Sequence, residues 1–123
     1  MEIFNNLKLN YKIWFSNEAN EGIMGDGKWQ ILKAINEAGS LTKACENMGI
    51  TYRRTWNDLK KIEKAFGFQL LESTRGGADG GGMKLTPEGE RLVMAFDNFH
   101  KSVDTLMQKH FISMLDELRN SNK

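Results

Sequence analysis

Cysteine, proline and long apolar runs are nearly absent from this chain of 123 residues, and each scarcity removes a class of explanation. The one cysteine, Cys45, excludes an internal disulfide framework, and on the apolar face of its segment it reads as a small buried hydrophobe. No stretch approaches the roughly 18 apolar residues of a membrane span, and the opening MEIFNNLKLN lacks the charged-then-apolar layout of a secretion signal. A cytoplasmic chain without membrane contact is therefore expected. Charge of one sign is missing too: 17 Lys and Arg stand against 16 Asp and Glu, so affinity for a polyanion has to come from local distribution. The two histidines, His100 and His110, lack the i, i+4 spacing of a zinc pair, and no nucleophile, base and orienting residue stand together. Neither an enzyme nor a resident metal or cofactor is expected.

What is present is helical punctuation. With 40% hydrophobic and 27% charged residues the chain has the make-up of one folded domain. Its centre is Gly39 to Phe66, GSLTKACENMGITYRRTWNDLKKIEKAF. Ser40 is an N-cap, Leu41, Ala44, Cys45 and Met48 recur at helical spacing, and Gly49 stops the helix. A second helix begins near Thr51, a residue able to cap. It places Thr55, Leu59, Ile62 and Phe66 on one face and Arg53, Asn57, Lys60 and Lys64 on the other. Two short helices around a glycine turn form the helix-turn-helix pattern, whose second helix reads the major groove.

In chain order, Leu7, Leu9, Tyr11, Ile13 and Phe15 alternate with polar residues, predicting a strand, with Trp14 on the opposite face. A loop and a short return strand at Ile23 and Met24 make residues 1–25 an N-terminal β-hairpin. Asp26 or Gly27 starts a further helix that Gly39 ends, so residues 26–66 hold a three-helix core. Residues 68–86 place short apolar segments on either side of the Gly76–Gly82 run, a hairpin wing. That run does not fit a phosphate loop, because Met83 separates Gly82 from Lys84. Thr86, Pro87, Glu88 and Glu90 open a helix whose apolar stripe continues through Leu92, Phe96, Phe99, Val103 and Leu106 to Leu118. Its extent of about 48 Å exceeds what the domain's own core needs, so residues 87–119 are expected to pair with a second copy. The fold class is mainly α with small β-hairpins: a winged helix-turn-helix with a long C-terminal dimerisation helix.

Three groups of candidate DNA-binding residues follow. Arg53 and Asn57 have the bidentate chemistry for guanine and adenine edges. Arg54, Lys60 and Lys61 suit phosphate, as do Ser40 or Thr42 at the start of the motif's first helix and Arg75 and Lys84 at the two ends of the wing tip. Thr51 and Tyr52 at the start of the second helix complete the set, with Trp56 expected to be partly buried. The partner expected is double-stranded DNA, bound by a homodimer. The competing reading is a winged-helix protein-interaction module whose working surface is the long helix.

Gly39-Ser40-Leu41 through Met48-Gly49, Thr51-Tyr52-Arg53-Arg54-Thr55-Trp56, the paired Gly76-Gly77 and triple Gly80-Gly81-Gly82, and Leu85-Thr86-Pro87-Glu88-Gly89-Glu90-Arg91-Leu92 carry a family resemblance. From roughly Lys12 to His100 the chain resembles the N-terminal DNA-binding domain of the ModE family of molybdate-responsive regulators. More distantly it is similar to LysR-type regulators. The resemblance implies a dimeric winged helix that binds operator DNA. Full-length ModE proteins carry molybdate-binding β-barrel domains after this region, whereas here about thirty residues of helical pattern follow Glu90. Molybdate sensing is therefore not carried over.

Overall fold

The computed structural model describes residues 2–74 and 82–120. Contacts divide the chain into two compact units, Lys12–Ala95 and the pair of segments Met1–Tyr11 and Phe96–Lys123. In the first unit, β1 (Trp14–Ser16) and β2 (Gly22–Gly25) form an antiparallel hairpin ahead of α1 (Asp26–Ala38), α2 (Leu41–Met48) and α3 (Tyr52–Phe66). A second antiparallel hairpin follows, β3 (Leu71–Thr74) with β4 (Gly82–Leu85), in a register that runs from Leu71 opposite Leu85 to Thr74 opposite Gly82. Helix α4 (Pro87–Asn120) begins in this unit and continues into the other. Mainly helical structure with small hairpins and a long final helix agrees with the expected winged helix-turn-helix.

Each of α1, α2 and α3 ends on a glycine in the left-handed region, with φ of 71° at Gly39, 67° at Gly49 and 79° at Gly67. Only glycine reaches that conformation without strain, and it turns the chain sharply enough to stack three helices. Their inner faces, Leu32 and Ile35 of α1, Leu41, Ala44 and Cys45 of α2, and Thr55, Leu59 and Ile62 of α3, are buried with Met24, Leu70 and Leu85 from the hairpin regions. Two expected core positions lie outside it: Met48 and Phe66, at the helix ends, are 40% and 39% exposed. Phe66 instead meets the rings of Phe15 and Phe68.

The strand expected from Leu7 is shorter in the structure. Burial alternates from Lys8 to Ser16 as the pattern requires, yet only Trp14–Ser16 joins a ladder. The reason is α1. Asp26 follows directly on β2, its amide donates to the Ile13 carbonyl at 2.9 Å, and its carboxylate accepts from the Ile13 amide at 3.2 Å. The helix start therefore occupies the groups that would extend the pairing. Residues Glu2–Asn6, ahead of this segment, form a short 3-10 helix that the alternation did not indicate.

Thr86 closes the first unit's last turn. Its hydroxyl accepts from the Gly89 amide at 2.9 Å, capping α4 as expected, and donates to the Gln69 carbonyl. Thr51, by contrast, makes no side-chain cap at α3; its carbonyl accepts from the Thr55 hydroxyl at 2.8 Å.

In the other unit, α4 and the N-terminal segment hold each other. Tyr11 donates to Asp104, which also pairs with His100 at 2.9 Å, while Tyr11 stacks on the His100 ring. Arg119 donates to the Asn5 side chain at 3.1 Å and lies over the ring of Phe4. Phe96 and Leu115 are buried, whereas Phe99, Leu106, Ile112, Met114 and Leu118 stand exposed along α4.

Candidate nucleic-acid interface

The helix-turn-helix is built locally. The Ser40 hydroxyl accepts from the Lys43 amide at 3.0 Å to start α2, and the Gly49 amide returns to the end of that helix. The chain then reverses within two residues, Ile50 and Thr51, and α3 starts at Tyr52. With Thr55, Leu59 and Ile62 buried, the helical period forces Arg53, Asn57, Lys60 and Lys64 to the opposite, exposed face. Arg54 and Lys61 flank this row and are exposed as well.

Most of the candidate residues fall into two groups by position. Thr51, Arg53, Arg54, Asn57 and Lys61 line one shallow concavity of about 500 Å³, together with Asp58. Ser40, Thr42 and Tyr52 line a second, of about 220 Å³, with Leu41 and with Ser73, Gly82 and Met83 of the second hairpin. The hairpin is tied to this place by backbone: the Met83 amide donates to the Gly39 carbonyl at 2.9 Å. Lys84 is exposed on β4 and pairs with Glu72 across the hairpin at 3.5 Å. Arg75 and the glycine tip lie outside the described residues.

Tyr52, Trp56 and Lys60 form a ladder along one flank of α3. The rings of Tyr52 and Trp56 stack nearly parallel, with centroids 6.4 Å apart, and the Lys60 ammonium sits 4.4 Å above the Trp56 ring. Trp56 is partly buried, as expected, and Tyr52 is exposed. Lys60 also pairs with Glu63 at 2.9 Å, and the second oxygen of Glu63 accepts from the Leu70 amide at 2.7 Å.

This arrangement settles the charge balance of α3. Its two carboxylates are both engaged inside the fold: Glu63 as described, and Asp58 with Lys28 of α1 at 3.2 Å. Of its five cations only Lys60 is used for this. Arg53, Arg54, Lys61 and Lys64 have no carboxylate partner among the described residues. A nearly neutral chain thus presents a positive helix face, the electrostatic footprint of a polyanion-binding surface. Lys28 and Asp58 were missed by sequence reasoning, since no spacing rule joins positions in different helices.

A glycine-hinged helix pair, a basic second helix and a hairpin beside it define the winged helix-turn-helix class. Residues 27–90 match the family described as "Bacterial regulatory helix-turn-helix protein, lysR family", and the chain belongs to that family. Among curated proteins it is similar to the transcriptional regulator ModE of Haemophilus influenzae, 32% identical over 88 residues that cover 72% of this chain and 32% of the relative. It is similar also to the molybdenum-pterin-binding protein MopB of Rhodobacter capsulatus, 30% identical over 84 residues covering 68% and 31%. The chain spans about a third of the length of these relatives. Among solved structures it resembles the BenM DBD/catB site 1 DNA complex, with a TM-score of 0.50 and 27% identity over 67% of this chain and 83% of that one. The ModE-like and LysR-like kinship expected from the motifs is met by these matches. Among the described residues, no helix is long and apolar enough to cross a membrane.

Proposed function

We propose that this chain binds duplex DNA sequence-selectively and regulates transcription, with α3 in the major groove. The observation that carries this reading is the outward row of α3, where Arg53, Asn57 and Lys61 share one concavity and the helix's carboxylates are engaged elsewhere. Arg53 and Asn57 read base edges, and Arg54 and Lys61 hold phosphate. Ser40, Thr42 and Tyr52 meet the DNA backbone beside the second hairpin, with Lys84 exposed on β4. The kinship with ModE of Haemophilus influenzae and the likeness to the BenM DBD in its DNA complex support the same reading.

The exposed apolar residues of α4 support a homodimer formed through that helix, which would present two α3 helices to two half-sites about one DNA turn apart. Fluorescence anisotropy on labelled duplexes, the gene's own upstream region beside a scrambled control at low and physiological salt, tests the proposal. Salt-dependent binding that favours the upstream duplex is the expected result. Failure to bind either duplex at low salt would leave the protein-interaction reading in its place. Arg53→Ala is expected to relax sequence preference and Lys61→Ala to weaken all duplexes alike; the reverse pattern would refute the assignment.

A further inference from the structure

Asp58 is the one acidic side chain that lines the concavity holding Arg53, Arg54, Asn57 and Lys61. It also lines the adjoining concavity, of about 270 Å³, in which Lys28 of α1 lies beside Arg54 and Thr55. On α3 itself Asp58 stands four residues after Arg54 and three before Lys61, the two spacings at which side chains of opposite charge pair along a helix. Neither pairing forms. The carboxylate instead meets the Lys28 ammonium at 3.2 Å, with the two side chains 30% and 24% exposed.

We infer that Lys28 is a positioning residue for DNA binding: by holding Asp58 against α1 it keeps Arg54 and Lys61 available to phosphate. The inference rests on the DNA-binding reading above and adds to it a residue outside the helix-turn-helix. A partly exposed ion pair contributes only modestly to stability, so the importance of this one lies in what it prevents. Without the Lys28 charge, Asp58 turns to Arg54 or Lys61, and one phosphate-facing cation is neutralised within its own helix. An unpaired carboxylate left at the surface would have a similar effect, because it repels the polyanion.

The test is a double-mutant cycle in the full chain, with Lys28→Met, Asp58→Asn and the pair combined, read as duplex affinity across a salt series. Lys28→Met is expected to lower affinity about threefold or more for every duplex and to reduce the slope of log affinity against log salt by about 0.9, the signature of one lost phosphate contact. The preference between specific and scrambled duplexes stays unchanged. Adding Asp58→Asn restores both affinity and slope, and Lys28→Arg, which keeps the charge, matches the wild type. A loss that persists in the double variant would make Lys28 itself the DNA contact and overturn the inference, as would wild-type affinity in Lys28→Met. Wild-type protein that binds no duplex at low salt would remove the DNA reading first, and this inference with it.

Discussion

Gly89 is buried in the first turn of α4, and a methyl group in its place would stand 2.5 Å from the Leu70 carbonyl oxygen. Backbone cannot yield as a flexible side chain does, so Gly89→Ala is expected to destabilise the fold by about 1 to 3 kcal/mol, measured by thermal or denaturant unfolding. Thr86, three residues earlier, joins the same two segments through its hydroxyl. Glu63 shows how one residue divides its two oxygens. One oxygen holds Lys60 and the other accepts the Leu70 amide, so Glu63→Ala orphans a part-buried donor and is expected to cost about 1 to 3 kcal/mol. The same engagement predicts that Lys60→Ala lowers DNA affinity less than Lys61→Ala does. Equal losses in the anisotropy assay would show that Lys60 leaves Trp56 to reach phosphate.

At the scale of elements, what was legible in the sequence was whatever depends on spacing along one helix. The buried row Thr55, Leu59 and Ile62 fixes the exposed row of α3 by geometry alone, and Ser40, Gly49 and Pro87 mark helix ends through local backbone chemistry. The ladder of the N-terminal hairpin was not legible, because its length depends on where α1 begins and on the Asp26 side chain that occupies the next rung. The masking of Asp58 was equally hidden, since Lys28 lies in another helix and only the packing of α1 on α3 brings the two together. Leu59 illustrates the packing that holds α3 in place: it is 1% exposed, and Leu59→Ala is expected to cost about 2 to 5 kcal/mol in unfolding experiments. DNA affinity should fall with the loss of folded protein and not beyond it.

For the whole molecule, the exposed side of α4 is the surface with the largest consequence. Phe99 and Leu106 lie seven residues apart, the repeat of a helix seam, and both are exposed. Leu106→Glu is expected to convert the dimer proposed above to monomers in sedimentation equilibrium and to weaken binding to a two-half-site duplex far more than to a single half-site. A dimer that survives the change would place the contact elsewhere. The hydrogen bond from the Met83 amide to the Gly39 carbonyl bears on time as well as on place. It joins the second hairpin to the turn before α2 by main chain alone, so among substitutions at Met83 only proline removes the donor. The Met83 amide should therefore exchange with deuterium as slowly as the interior of α1 and α2, and a fall in its protection would report the hairpin parting from the helices before any of them unfolds.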